Sequence, residues 1–128
     1  MDLHAYFEKK KGIGVLATSD KEGRVNAALY ARPRIHNGEK CIFIMADKLT
    51  HKNIQDNPYA YYLFKEQDGY QGKRLQLKKI KETQDKETIQ RFLQDRNTDK
   101  KYANDSEKSL FAVYFNIVKV IPLIGEKQ

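Results

Sequence analysis

Six short segments rich in β-branched and aromatic residues, separated by polar turns, constrain the fold of this chain more than any other feature. Apolar and polar side chains alternate through residues 25–34, as they do in a strand with two unlike faces. The stretches "SDKEG" and "HNGEK" on either side are typical of hairpin turns, and Gly23 allows the positive φ that such a turn needs. The predicted strands are residues 14–18, 25–34, 41–45, 59–64, 74–80 and 110–121.

Three short helices are predicted, over residues 3–10, 50–56 and 86–96. Asp2 is a plausible N-cap for the first helix. Thr50 is a plausible N-cap for the second, with Leu49 and Ile54 forming the hydrophobic staple that fixes the entry of the chain. The second helix is expected to end before Pro58, because a proline disfavours helical geometry in the residue before it.

The order of these elements decides the fold class. No strand–helix–strand repeat is visible, so a doubly wound parallel sheet is not expected. Neither a GxGxxG nor a Walker A motif occurs. The sequence therefore predicts one domain over residues 1–128 with a mainly β (α+β) fold. Its six strands would form a β-barrel or a strongly curled sheet with two or three small peripheral helices.

Composition narrows the class of partner and the compartment. The net charge of +7 favours an anionic partner: nucleic acid, an anionic membrane surface or a phosphorylated small molecule. No apolar run approaches the ~20 residues of a membrane span. The first residues also lack the order of a signal peptide. The single cysteine, Cys41, lies in an apolar run and is expected to be a buried thiol, so a cytoplasmic protein is expected.

The stretch "IFIMADKLTHKNIQDNP" passes from a strand through a polar loop into the second helix. A helix N-terminus leaves backbone N–H groups without partners and, with the helix dipole, attracts an anion, most often phosphate. Thr50, His51 and Lys52 would add a hydroxyl, an imidazole and an ammonium group. The alternative is that Thr50 only caps the helix while His51 and Lys52 point into water.

Two arginines are further candidates for phosphate binding. Arg32 and Arg34 fall on the same face of the second predicted strand as Tyr30. A guanidinium there can bind a phosphate through two hydrogen bonds. The alternative is that both are surface charges at the edge of the sheet.

The loop "EQDGYQG" is a candidate for contact with a flat ligand. Its glycines let the backbone approach such a ligand closely. Gln67, Tyr70 and Arg74 offer hydrogen bonds and stacking. The alternative is an ordinary flexible hairpin loop.

These motifs, in this order, resemble the pyridoxamine 5′-phosphate oxidase-like proteins, which share the FMN-binding split β-barrel. The resemblance rests on "GVLATSDKEGRVNAALYARPR" followed by "IFIMADKLTHKNIQDNPYAYYLF". It covers residues 3–80 by motif, and the remainder by the order of a helix and a long final strand. It implies a six-stranded split β-barrel, FMN as cofactor, and a homodimer with the flavin at its interface.

The resemblance also implies three groups of flavin contacts: a strand beside the flavin, backbone groups at its ring or ribityl chain, and a helix turn at its phosphate. The residues are, in that order, Tyr30, Ala31 and Arg32; Met45, Ala46 and Asp47; and Thr50, His51 and Lys52. Many relatives carry an arginine where this chain has His51, so a phosphate site here would bind phosphate more weakly or be sensitive to pH. Arg32 is expected to close that site from the neighbouring strand.

No catalytic residue and no metal site are predicted. A flavin carries the redox chemistry itself, and the protein supplies orientation and electrostatics. His4, His36 and His51 lack the spacing of metal ligands. The chain also ends without the arginine- and histidine-bearing segment of true pyridoxamine phosphate oxidases, so that activity is not expected.

Three functions therefore stay open. The first is a flavin-dependent oxidoreductase with an unassigned substrate, and the second is an FMN carrier or electron-transfer module. The third is a nucleic-acid-binding small barrel, favoured by the net charge and by the tyrosines in "YAYYLF" and "GYQGKR" but lacking any RNA-binding signature. Haem or a deazaflavin in place of FMN is a further alternative, since related barrels hold both.

Overall fold

The structure is a computed structural model that describes residues 2–94 and 110–125. The described elements, in chain order, are α1 (Leu3–Lys9), β1 (Gly12–Ser19), β2 (Val25–Leu29), β3 (Arg34–His36), β4 (Lys40–Ala46), α2 (Leu49–Asp56), β5 (Tyr59–Glu66), β6 (Gly72–Thr83), α3 (Lys86–Gln94) and β7 (Leu110–Pro122). The last two residues of the third predicted helix, 95 and 96, lie outside the described residues. None of the helices in the described ranges is long and apolar enough to cross a membrane.

All of these strands belong to one antiparallel sheet, in the order β2-β1-β5-β6-β7-β4-β3. The pairing of β6 with β7 shifts register between Gln76 and Leu77 and again between Lys79 and Lys81. Such irregularities bend a strand and increase its twist. The sheet curls around a core that includes Leu16, Phe43, Tyr62, Phe64, Leu75 and Phe115. The predicted mainly β (α+β) class is confirmed.

The core is closed by helices on two sides. α1 contributes Leu3 and Phe7, and the Phe7 ring lies 5.4 Å from Phe64 in an edge-to-face arrangement. α3 packs Ile89 and Leu93 onto the outer face of β4 and β7. β4 and the first six residues of β7 are therefore covered on both faces.

Several local predictions are confirmed. The Asp2 side chain caps α1 by accepting a hydrogen bond from the Ala5 N–H at 3.1 Å. Gly23 takes a φ of +85° in the first hairpin turn. α2 ends at Asp56, two residues before Pro58. Cys41 is buried, and burial raises the pKa of its thiol, which keeps the sulfur protonated.

The prediction of one continuous strand over residues 25–34 is wrong, and the described sheet has seven strands rather than six. β2 ends at Leu29, and the chain resumes as β3 at Arg34 on the opposite edge of the sheet. Pro33 explains the break, because it lacks an N–H for the ladder and restricts the residue before it. The apolar face of β2 also points outward, so that Val25 and Leu29 are 82% and 68% exposed.

The prediction that Thr50 caps the second helix is also wrong. The N-cap is Lys48, which makes no capping hydrogen bond with its side chain. The helix starts earlier because the Lys52 N–H already bonds the Lys48 carbonyl at 3.0 Å. Leu49 is therefore the first helical residue, exposed to solvent, and does not occupy the position before the cap that a staple requires.

Candidate functional site

The first turn of α2 presents backbone donors that the helix does not use. Its first internal hydrogen bond comes from the Lys52 N–H, so the N–H groups of residues 49–51 have no partner within the helix. Lys48 and Lys52 are both exposed on this turn. Backbone N–H groups, the positive end of the helix dipole and two ammonium groups together suit an anionic ligand.

Thr50 joins this turn to β2. Its hydroxyl accepts a hydrogen bond from the Asn26 side chain at 3.4 Å. It is also hydrogen-bonded to the Tyr30 hydroxyl. Burial raises the pKa of Tyr30 to about 12, although the hydrogen bond with Thr50 acts in the opposite direction. Two of the predicted site residues, Tyr30 and Thr50, are thus brought together.

His51 points into the protein and not into water. Its Nδ1 lies 3.1 Å from Asp47 Oδ1, and its Nε2 lies 3.0 Å from Glu82 Oε2. Its ring stacks on Phe111, with 3.8 Å between centroids and 18° between planes. Both ring nitrogens therefore face carboxylates of the protein, and this geometry does not favour the predicted contact between His51 and a phosphate.

Glu82, at the end of β6, anchors this network. Its carboxylate also accepts hydrogen bonds from Lys79 Nζ at 2.7 Å and from Gln55 Nε2 at 2.8 Å. Desolvation by itself would raise the pKa of Glu82. The hydrogen bonds with Lys79, Gln55 and His51 outweigh this effect and lower the pKa to about 2. The carboxylate is therefore ionised throughout the physiological range.

Arg32 is bound at the C-terminal end of α1. Its Nη1 donates to the Phe7 carbonyl at 2.7 Å and to the Lys10 carbonyl at 2.8 Å. The last carbonyls of a helix lack partners within it, and a cation there also meets the negative end of the dipole. The geometry does not support the prediction that Arg32 closes a phosphate site at α2.

Arg34 is bound to α3. Its Nη2 donates to the Phe92 carbonyl at 3.1 Å, and its guanidinium lies 5.8 Å from the centre of the Phe92 ring. Ala31, between β2 and β3, is exposed. Neither of the two arginines in "ARPR" is thus directed at the first turn of α2.

The end of β4 lies beside this turn. Met45 and Ala46 are buried, and their backbones pair with Phe111 and Leu110 of β7. The ladder between β4 and β3 reaches only Ile42, so β3 does not extend along β4 as far as Met45 and Ala46. Asp47 follows at once and holds His51. The structure brings these three predicted residues close to α2, where the chain leaves the sheet.

The loop between β5 and β6 lies at the other end of β1. Gln67 bonds Lys11 through its N–H at 2.8 Å, and Tyr70 is exposed at the tip of the hairpin. Arg74 donates through Nε to the Pro122 carbonyl at 2.9 Å and also bonds the Gly125 carbonyl. α2, by contrast, contacts β1 near Thr18, six residues from Gly12. The two regions are thus about 20 Å apart along the strand.

The outer face of β1, β2 and β5 carries an exposed apolar surface. Side chains that point away from the core line up across the three strands, as Leu29 pairs with Val15 and Val15 with Leu63. The large exposed members are Ile13, Val25, Leu29, Tyr59, Tyr61 and Leu63. A shallow cleft of about 270 Å³ opens on this face between Val25 and Tyr59. A contiguous apolar surface on the outside of a sheet is typical of an interaction site.

The side chains that bind His51 were not predicted from the sequence. Glu82 and Phe111 lie 31 and 60 residues further along the chain, and Gln55 looks like an ordinary exposed helix residue. Only the contact with Asp47 could have been predicted, because Asp47 precedes His51 by four residues at the start of the helix that begins at Leu49.

No protein-family model and no curated protein matches this sequence. Solved structures do match it. An FMN-binding protein from Syntrophomonas wolfei subsp. wolfei has a TM-score of 0.79 and 18% identity, with 98% of this chain and 86% of that chain covered. An F420 reductase has a TM-score of 0.71 and 12% identity, with coverage of 92% and 95%. A protein of the pyridoxinephosphate oxidase family from Clostridium acetobutylicum has a TM-score of 0.66 and 14% identity, with coverage of 92% and 89%.

These likenesses extend over nearly the whole described chain. At such low identity they show a shared fold, which is the split barrel of FMN-binding and pyridoxamine 5′-phosphate oxidase-like proteins. The fold that the sequence motifs imply is therefore confirmed.

Proposed function

We propose that this chain binds FMN and acts as a flavin-dependent oxidoreductase, as a homodimer with the flavin at its interface. The observation that carries the proposal is the uncapped first turn of α2, which presents N–H donors between Lys48 and Lys52 beside the edge strand β2. A protein of the same fold, from Syntrophomonas wolfei subsp. wolfei, is FMN-binding.

The residues of this turn fit the phosphate of FMN. A phosphate monoester carries about −1.5 to −2 charges near neutral pH, and backbone N–H groups at a helix start are its usual partners. Two carboxylates, Asp47 and Glu82, lie nearby, but both are held by His51. Lys48 and Lys52 are exposed on this turn, and Lys79 pairs with Glu82, so positive charge exceeds negative charge among these side chains.

The edge of the sheet at β2 suits the flat isoalloxazine ring of FMN. β2 is an edge strand, so one side of it is not joined to another strand of the sheet. Its apolar side chains, Val25 and Leu29, belong to the exposed outer face. A second copy of the chain laid on this face would cover the apolar surface and enclose a flavin ring between two sheets.

Bound FMN would supply the hydride or electron transfer that the side chains themselves do not provide. The chain has three tasks in this proposal. Lys52 and the N–H groups of α2 hold the phosphate, the edge of β2 orients the ring, and the partner's sheet excludes water. Cys41 takes no part, because its buried thiol stays protonated. We place the protein in the cytoplasm on the strength of this single reduced cysteine.

The test is a titration of the purified full chain with flavins, in which binding is monitored by the change in flavin absorbance and fluorescence. FMN is expected to bind, and riboflavin, which lacks the phosphate, is expected to bind at least about tenfold more weakly. If F420 or haem binds more tightly than FMN, the assignment of FMN as the cofactor is wrong. Equal binding of FMN and riboflavin would refute the phosphate site. Steady-state NAD(P)H oxidation by the FMN-loaded chain then separates an oxidoreductase from an FMN carrier.

A further inference from the structure

A second polar cleft lies at the far end of β1 from α2. It has a volume of about 600 Å³ and runs between Lys9–Lys11, where α1 ends, and residues 66–71 of the β5–β6 hairpin. A volume of this size is typical of a site for a small molecule. The flavin proposal does not use it.

On the lysine side of the cleft, a guanidinium group offsets the negative end of the α1 dipole. The end of a helix normally carries a negative partial charge that would repel an anion. Here the Arg32 guanidinium bonds the carbonyls of Phe7 and Lys10 and compensates that charge. Lys9, Lys10 and Lys11, all exposed, are therefore presented at a helix end that no longer opposes an anion.

The carboxylate on the other side of the cleft is already occupied. Glu66 accepts a hydrogen bond from the Tyr6 hydroxyl at 2.7 Å, and Lys10 Nζ lies 3.9 Å from its other oxygen. Burial, and then the hydrogen bond to Glu66, raise the pKa of Tyr6, so this hydroxyl keeps its proton and remains a donor. Of the two acidic residues that line the cleft, only Asp68 is exposed.

An aromatic ring stands at the rim. Tyr70 is 77% exposed, and the Lys65 ammonium lies 5.8 Å from the centre of its ring. The hairpin is held in place by the Glu66 N–H, which bonds the Gln71 carbonyl at 2.8 Å, and by the Gln67 N–H, which bonds the Lys11 carbonyl at 2.8 Å. The second of these bonds ties the hairpin directly to the lysine segment, so the cleft has a defined width.

We propose that this cleft binds a nucleotide that carries two or more phosphates. Three adjacent ammonium groups suit a polyphosphate better than a single phosphate, because the charge is spread along a short segment. Lys65 lies over one face of the Tyr70 ring, and the other face provides a surface on which the base stacks. A cleft of about 600 Å³, bordered on one side by a hairpin, fits one nucleotide better than a continuous strand of nucleic acid.

The test is calorimetric titration of the full chain at moderate salt, about 0.1 M, with ADP, ATP, adenosine and inorganic pyrophosphate. ADP and ATP are expected to bind, and adenosine is expected to bind at least about tenfold more weakly. Changing Lys9 and Lys11 together to Gln should weaken ADP binding by about tenfold or more. Tyr70→Ala should weaken the binding of ADP but not that of pyrophosphate.

The matched control changes Lys21 and Lys86 to Gln, which removes the same charge at exposed positions elsewhere. This pair should alter ADP affinity by less than about twofold at moderate salt, where distant charges are screened. The proposal would be overturned if the Lys9/Lys11 and Lys21/Lys86 variants lost ADP affinity equally. It would also be overturned if ADP did not bind at millimolar concentration. Tighter binding of a single-stranded oligonucleotide than of ADP, with a steep salt dependence, would overturn it in favour of nucleic acid.

FMN binding serves as an independent readout. The variants of Lys9, Lys11 and Tyr70 should bind FMN as the unchanged chain does, because α2 lies about 20 Å away along β1. Loss of ADP binding with FMN binding intact supports a separate nucleotide site. Parallel loss of both ligands would overturn it.

Discussion

His51 Nε2 lies 3.0 Å from Glu82 Oε2, and this contact joins the first turn of α2 to the end of β6. On the other side of the ring, Nδ1 faces Asp47, and the ring itself stacks on Phe111. Each ring nitrogen therefore lies within hydrogen-bonding distance of a carboxylate. A proposed phosphate-binding turn is thus held from behind by a histidine between two carboxylates.

Glu82→Gln is expected to lower the free energy of unfolding by about 1–2 kcal/mol at neutral pH, because it replaces charge-assisted hydrogen bonds with neutral ones at a partly exposed site. Urea denaturation measures the change. Glu39→Gln, at an exposed turn, is the matched control and should be nearly neutral. Equal stability of the Glu82→Gln variant and the unchanged chain would show that the network contributes nothing.

Glu82 also predicts how stability depends on pH. Its pKa falls from an ordinary value of 4.5 to about 2 in the folded chain. A carboxyl with a depressed pKa stabilises the fold above its unfolded value and loses that contribution as pH falls toward the folded value. The stability difference between the unchanged chain and Glu82→Gln should therefore be full above pH 4.5 and vanish near pH 2. Chemical denaturation across this window checks it, and a difference that grows on acidification would contradict it.

Arg32→Ala is expected to destabilise the fold without selective loss of phosphate recognition. The guanidinium caps α1 through the carbonyls of Phe7 and Lys10, and losing these two bonds should cost about 1–3 kcal/mol. The ratio of riboflavin to FMN dissociation constants should stay the same. A marked fall in that ratio would restore the prediction, from the sequence, that Arg32 contacts the phosphate.

Lys52→Ala is expected to weaken phosphate recognition without destabilising the fold. Lys52 is exposed, so thermal stability without ligand should hardly change. One charge-assisted bond to phosphate is worth roughly 1.5–3 kcal/mol, so FMN binding should weaken by about one to two decades while riboflavin binding stays the same. Lys21→Ala, at an exposed turn position, is the control. If Lys52→Ala lost affinity for FMN and riboflavin equally, Lys52 would not contact the phosphate.

Leu29→Asp tests the homodimer. Leu29 is 68% exposed in the single chain, so the charge should not disturb folding, but it would be buried between two sheets in the proposed dimer. Light scattering should give the mass of two 15.0-kDa chains for the unchanged protein and of one for the variant, with FMN lost from the variant. Val118→Asp, at a position 55% exposed on β7, is the control and should remain dimeric. A monomeric unchanged chain that still holds flavin would rule out the interface.

Local chemistry is what the sequence by itself determined. The Asp2 cap, the positive φ of Gly23 and the end of α2 before Pro58 all depend on residues within four positions of one another. The alternation in β5 places Tyr62 and Phe64 in the core for the same reason, since side chains point to opposite faces by turns. Together with the order of the elements, these features suffice for the mainly β class.

Only the tertiary structure decided where the polar side chains of the candidate site point. His51 could have faced water or a phosphate, but Glu82 and Phe111, which lie 31 and 60 residues away in sequence, turn it inward. Arg32 could have faced α2, but the end of α1 offers it two carbonyls. A buried charge or an unpaired carbonyl needs a partner whatever its distance along the chain. The curl of the sheet supplies those partners, and a reading of neighbouring residues does not reveal them.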